Sequence, residues 1–187
     1  MYKLSVLSTM MHKLLFFLLM PLALSSFGQS NDEELITWRE GKKLTWADYK
    51  GKAKTDTDAA ASTATYLGIE YNFGNKGFDY KITCSFSKTK SWGLHKTDYI
   101  LAHEQGHFDI AEIFARKLNM EMRNYKFNKN NFKEDLKKIY LTITSAKEEM
   151  QNDYDRETNH SIIKDKQADW LKKIDQLLAA YKDFADY

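Results

Sequence analysis

The sequence predicts an α+β fold in which an N-terminal antiparallel sheet is followed by three long helices. Between residues 59 and 87 apolar side chains recur at every second position, and from residue 97 onward they recur every three or four positions. The first period is typical of a strand with one buried face, and the second of an amphipathic helix. With 187 residues, the chain is long enough for one compact domain of this kind.

The composition narrows the function classes. The chain is 43% hydrophobic and 14% aromatic, which is enough to fill a core. The formal net charge is only +2, so no basic excess exists to neutralise a polyanion, and we expect no nucleic-acid partner. The single cysteine, Cys84, excludes an intramolecular disulfide framework and any site built from several cysteines.

Residues 1–28 are predicted to form a cleaved secretory signal peptide. Lys3 and Lys13 precede an apolar run over residues 14–24, and small residues lead to the end of the segment. The run is about half of the ~20 residues that a membrane span needs, so we expect no stable anchor after cleavage. The mature domain, residues 29–187, is therefore expected to be exported, either to the periplasm or to the medium.

The strands are predicted before residue 88. The aromatic-rich stretch from residue 35 to 52 predicts a short strand, a turn and one helical turn. Two alternating runs follow, and the stretch Gly74-Asn75-Lys76-Gly77 between them has the composition of a tight turn. These runs predict a β-hairpin. Its apolar face carries Leu67, Ile69, Tyr71 and Phe73, then Phe78, Tyr80, Ile82, Cys84 and Phe86. We expect Cys84 to be a buried, unreactive thiol.

Three helices account for the rest of the chain. The first begins at Thr97 or Asp98, either of which can cap it, and reaches Tyr125. An Asn-rich break at 128–131 precedes a second helix over residues 132–155. A joint at 156–161 separates it from a third helix over residues 162–183.

The first helix carries His103-Glu104-Gln105-Gly106-His107, which matches the pattern H-E-x-x-H. On a helix, imidazoles at i and i+4 share one face and can bind one Zn²⁺ together. Glu104 lies beside the open coordination position, where it can act as a general base toward water. A hairpin followed by such a helix is the arrangement in which zinc peptidases hold an extended substrate, so a peptide or protein substrate is expected.

The third ligand is predicted from helix packing. The metzincin continuation is absent, because Ile110 and Ile113 stand where Gly and His would be. If the first two helices form an antiparallel hairpin turning at 128–131, positions 103–107 face positions 152–156. His160 is the preferred ligand, because imidazole is a common zinc ligand. The alternatives are Glu157, Asp155 and Asp153, with His95 a weaker candidate.

At these residues the chain resembles the DUF922 family, exported bacterial proteins of uncharacterised function that are described as secreted zinc-dependent proteases. The matching stretches are Leu44 to Gly51, Ser91-Trp92, His103 to Glu112, Tyr154-Asp155, Thr158 and His160, with Gln167 and Trp170 beyond. The resemblance implies a zincin-like fold with Glu104 as base and His103 and His107 as ligands. The chain departs from the family pattern at Ser161, where a glycine usually follows the downstream histidine.

Three functions follow from these residues. The first is an exported zinc metallopeptidase that hydrolyses peptide bonds, with His103, His107 and His160 as zinc ligands and Glu104 as catalytic base. The second is a non-catalytic exported binding domain that retains the fold. The third is a zinc hydrolase acting on cell-wall amides. An intact Glu104 favours a hydrolase, because binding alone does not need that carboxylate.

Overall fold

The computed structural model describes residues 34–54, 56–57, 59–74 and 77–187. It has five strands, β1 (Leu35–Thr37), β2 (Ala61–Ser62), β3 (Thr65–Gly74), β4 (Gly77–Ser87) and β5 (Trp92–Gly93), and three long helices, α1 (Asp98–Asn124), α2 (Phe132–Thr158) and α3 (Lys164–Ala180). The predicted α+β architecture, a small antiparallel sheet followed by three helices, is confirmed. The predicted signal peptide and the turn residues Asn75 and Lys76 lie outside the described residues.

The sheet has the strand order β1-β4-β3, and all neighbours are antiparallel. The β3–β4 register pairs Leu67 with Cys84 and Ile69 with Ile82. The apolar side chains predicted for the two strands therefore share one face of the sheet. Cys84 is fully buried, and burial raises the pKa of its thiol well above the usual value. The prediction of an unreactive core cysteine is therefore consistent with its environment.

The helices begin and end close to their predicted bounds. Thr97 caps α1, because its hydroxyl accepts a hydrogen bond from the Ile100 amide at 3.2 Å. Helix α2 continues three residues beyond its predicted end, and the buried Thr158 hydroxyl donates to the Tyr154 carbonyl at 2.7 Å in this last turn. Helix α3 is shorter than predicted at both ends.

Helix α1 occupies the centre of the fold. It packs against β3 and β4 of the sheet and against both α2 and α3. The core between these elements includes Phe86, Phe108, Ile110, Ile113, Leu118 and Ile174. Within the described part of the chain, none of the helices combines the length and the apolar character required to cross a membrane.

A second, two-stranded sheet pairs β2 with β5 and was not predicted. Each strand has only two residues, which is too short for an alternating pattern to show. This small sheet matters for the site because β2 lies along a cleft that α1 and α2 also line.

Candidate metal centre

Helices α1 and α2 bring three potential metal ligands together. His103, His107 and Asp155 each offer one ligand atom, and these atoms all lie within 4.8 Å of one another. The Nε2 atoms of His103 and His107 lie 3.1 and 3.0 Å from the same carboxylate oxygen, Oδ1 of Asp155. The antiparallel pairing predicted for the two helices is thereby confirmed, since positions near 103 and 107 face positions near 155 and 151.

This donor set fits a zinc ion. Zinc binds imidazole nitrogen and carboxylate oxygen at about 2.0–2.2 Å, so the ligand atoms of a tetrahedral site lie about 3.3 Å apart. The two nitrogen-to-oxygen separations, 3.1 and 3.0 Å, are close to that spacing. Where Nε2 carries no proton, a cation between the imidazoles and the carboxylate would remove the repulsion between the nitrogen lone pair and the Asp155 oxygen.

Gln151 orients the second histidine. Its side-chain oxygen accepts a hydrogen bond from Nδ1 of His107, and its amide nitrogen donates to the His107 carbonyl at 2.9 Å. With Nδ1 as the donor, Nε2 of neutral His107 carries the free electron pair toward Asp155. No sequence motif pointed to Gln151, although its i, i+4 spacing from Asp155 mirrors that of the two histidines on α1.

The electrostatics of the site favour positive charge beside Asp155. Burial works against a charged His107, but Asp155, Glu104 and Gln151 outweigh it and raise the pKa of His107 to about 9. Burial dominates at His103 and lowers its pKa, although Asp155 opposes this. Burial also disfavours the Asp155 carboxylate, but hydrogen bonds from both histidines hold its pKa well below the usual value.

Tyr154 explains why the motif contains a glycine. Its ring is fully buried and stacks on His103 with centroids 4.3 Å apart, and its hydroxyl donates to the His103 carbonyl at 3.3 Å. A Cβ added at Gly106 would lie 2.7 Å from the Tyr154 hydroxyl oxygen. The close approach of the two helices, and with it the ligand geometry, therefore depends on the missing side chain at position 106.

Glu104 lies beside the ligand group without belonging to it. Its side chain is buried, and its Oε2 accepts a hydrogen bond of 2.6 Å from the Thr63 hydroxyl. Glu104 lines a cleft of about 640 Å³ together with His103, His107 and Asp155. The small residues Ala59 to Thr63 also line this cleft.

The preferred third ligand from the sequence, His160, lies close to the group but outside it. Its Nδ1 is 3.6 Å from Oδ1 of Asp155, and its side chain is 58% exposed. The assignment of His160 as a zinc ligand therefore stays a prediction. Asp155, one of the alternatives, is the residue that the structure places against both histidines.

The remaining alternatives face other partners. Glu157 accepts a hydrogen bond from the Trp170 indole at 2.8 Å, and Asp153 pairs with Arg156 on the exposed side of α2. His95 is exposed on the loop before α1. Within the described residues, none of these three belongs to a group that could hold a metal.

The loop after α2 has a strained backbone. Asn159, His160 and Ser161 have φ values of +47°, +51° and +73°, all in the left-handed region that side chains other than glycine rarely adopt. Ser161 stands at the position where the resemblance leads us to expect glycine. The loop conformation supplies the physical reason for a glycine there.

Two further residues of the motif helix hold the N-terminal segment in place. The Gln105 side chain accepts a hydrogen bond from the Leu44 amide and donates one to Asp109, both at 2.8 Å. Asp109 also accepts hydrogen bonds from the Trp38 indole at 2.8 Å and from Lys43 at 3.1 Å. These contacts tie the segment after β1 to the helix that carries the site.

No curated protein and no solved structure matches the chain. A family model described as a bacterial protein of unknown function (DUF922) matches residues 43–161. This match spans more than half of the sequence, and it contains the H-E-x-x-H helix, Asp155, His160 and the segment that Gln105 holds. The chain therefore belongs to the DUF922 family of bacterial proteins.

Proposed function

We propose that the protein is an exported zinc-dependent metallopeptidase with a zincin-like site, in which His103, His107 and Asp155 hold the metal and Glu104 is the general base. The observation that carries the proposal is the convergence of three donor atoms in a cleft, next to a carboxylate that is not part of the donor group. A zinc ion held there would supply Lewis-acid chemistry, polarising a carbonyl and lowering the pKa of water.

The placement of Glu104 supports its role. Among the described residues, only Thr63 hydrogen-bonds the Glu104 carboxylate, through Oε2. Oε1 is therefore available to accept a proton from water in the cleft and to pass it to a leaving amine. The side chain is only 4% exposed, so little solvent competes for the carboxylate.

The cleft supports a peptide substrate. Its volume of about 640 Å³ lies in the range of small-molecule and peptide sites. The extended segment of β2 lines the cleft with small side chains, which allows the backbone of a substrate to approach closely. Helix α2 also lines the cleft and contributes Gln151 and Asp155.

The variant Glu104→Gln tests the proposal in the purified protein. We expect near-stoichiometric zinc by elemental analysis in the wild type and in Glu104→Gln, with hydrolysis of casein lost only in the variant. Glu148→Gln is the matched control, because Glu148 lines the same cleft but does not belong to the donor group. Equal hydrolysis by Glu104→Gln and the wild type would refute the mechanism.

The same assay separates the substrate classes. Cell-wall fragments are offered in parallel with casein under identical conditions. Turnover of casein supports a peptidase, and turnover of cell-wall fragments alone identifies an amidase with the same metal and base. A wild-type protein that binds zinc but hydrolyses neither is better described as a binding domain.

A further inference from the structure

We propose that a buried hydrogen-bond chain from Tyr49 through Thr63 positions the carboxylate of Glu104 for catalysis. The inference rests on the proposed role of Glu104 as base. It assigns a purpose to a stretch of the family-matching sequence, Leu44 to Gly51, that contributes none of the three metal ligands. Tyr49 and Thr63 are positioning residues in this proposal, because they act through Glu104.

The direction of the chain follows from proton counting. The Thr63 hydroxyl lies 2.6 Å from Oε2 of Glu104 and 2.8 Å from the hydroxyl of Tyr49. An ionised carboxylate accepts only, so Thr63 must donate its single proton to Glu104. Tyr49 is then the donor to Thr63. Each hydroxyl thus has one defined orientation, and the chain ends on the carboxylate.

Tyr49 is well fixed as the start of this chain. It is 5% exposed, and its ring packs edge-on against Phe86 with centroids 5.0 Å apart and beside Trp46 at 4.9 Å. Burial and the nearby charge of Glu104 raise the pKa of Tyr49, so the phenol stays protonated and remains a donor.

The backbone around Tyr49 is held as firmly as its ring. The Gly51 amide donates to the Ser91 carbonyl at 2.8 Å, and a Cβ at Gly51 would lie 2.7 Å from that oxygen. Likewise, a Cβ at Gly93 would lie 2.6 Å from the ring of Trp46. These close contacts leave Tyr49 little freedom to move relative to the strands.

The consequence for Glu104 is a carboxylate with one defined orientation. Thr63 holds Oε2, which restricts rotation of the carboxylate and leaves Oε1 free of this contact. A hydrogen bond to a charged group is stronger than a neutral one, and it is strongest where the donor is itself fixed. A general base must meet its proton within hydrogen-bond distance, so this orientation affects the chemical step more than substrate binding.

Three threonine variants test the chain. We expect Thr63→Val to lower kcat about 10- to 100-fold with KM and zinc content unchanged, which is the effect of losing one hydrogen bond to a charged group. Thr63→Ser keeps the hydroxyl and is expected to retain activity. Thr65→Val is the matched control, because Thr65 lines the same cleft without bonding Glu104. A Thr63→Val variant with wild-type kcat would overturn the proposal.

Tyr49→Phe provides a second, milder break. It removes the donor to Thr63 and leaves the ring packing intact. We therefore expect a fall in kcat smaller than that of Thr63→Val, and a thermal stability close to that of the wild type. A variant with unchanged kcat would remove Tyr49 from the chain. A fall in kcat that Thr63→Val does not show would contradict the order of the chain.

Crystal structures separate this inference from the proposed function. We expect the Glu104 carboxylate in one orientation in the wild type and rotated or split in Thr63→Val, with His103, His107 and Asp155 unmoved. An unmoved carboxylate overturns the positioning role whatever the activity. If the wild type hydrolyses no substrate but the carboxylate rotates in Thr63→Val, the proposed function fails while the positioning contact stands.

Discussion

The adjacent residues His103 and Glu104 on α1 contact two different parts of the molecule. His103 contacts Asp155 on α2, whereas Glu104 accepts a hydrogen bond from Thr63, which lies between β2 and β3. The His103–Asp155 contact joins two long antiparallel helices. The Glu104–Thr63 contact joins α1 to the irregular chain between β2 and β3. The ligand side is thus built from elements with a simple geometry, and the base side from contacts that depend on the whole N-terminal segment.

The largest effect is expected on the ligand side. His103→Ala removes one of two imidazoles, and we expect zinc content to fall from near one equivalent to background, because a site with two remaining donors binds weakly. His95→Ala is the control, since His95 is exposed on the loop before α1. Thermal unfolding without metal checks that the fold survives. A full equivalent of zinc in His103→Ala would show that His103 is not a zinc ligand.

Asp155→Asn tests the third ligand. We expect zinc affinity to fall by about 100-fold, because the charge that draws two imidazoles together is lost. Asp153→Asn, two residues away and paired with Arg156, is expected to bind as the wild type does. Competition with a chromophoric chelator measures both affinities.

His160→Ala belongs to the same experiment and decides between two ligand assignments. Because His160 is exposed and lies outside the donor group, we expect His160→Ala to change the zinc affinity by less than about threefold. A loss as large as that of Asp155→Asn would return His160 to the ligand set, as the sequence predicted.

Gly106→Ala tests the close contact between α1 and α2 at Tyr154. Alanine normally favours a helix over glycine by about 1 kcal/mol. Here the added methyl group would meet Tyr154, so we expect a net loss of roughly 1–3 kcal/mol in the free energy of unfolding. Adding Tyr154→Phe removes the nearest atom and should recover part of the loss in a double-mutant cycle. A more stable Gly106→Ala protein would show that α1 and α2 accommodate the methyl group without loss of stability.

The smallest effect is expected in the loop after α2. Ser161→Gly relieves the backbone strain at one left-handed residue. We expect the free energy of unfolding, measured with denaturant, to rise by about 0.5–1 kcal/mol. Ser161→Ala keeps the backbone strain and should show no such gain. A destabilised glycine variant would mean that the Ser161 side chain contributes more than its backbone conformation costs.

Much of this fold could be predicted from local patterns. The buried face of the hairpin follows from a period of two, which places both Leu67 and Cys84 on the apolar side. The facing of His103 and Asp155 follows from the equal rise per residue of two helices joined by a short turn. The signal peptide, the zinc ion and the peptide substrate remain predictions that the experiments above address.

The sequence by itself therefore determined the order of the hairpin and the three long helices, the helix that carries H-E-x-x-H, and the short list of third ligands. Only the tertiary structure decided which of them, Asp155, meets both histidines, and that Thr63 meets Glu104. The reason is physical. Periodicity is a property of neighbouring residues, whereas the turn that leaves His160 exposed depends on three left-handed residues, and the contact with Thr63 joins positions 41 residues apart.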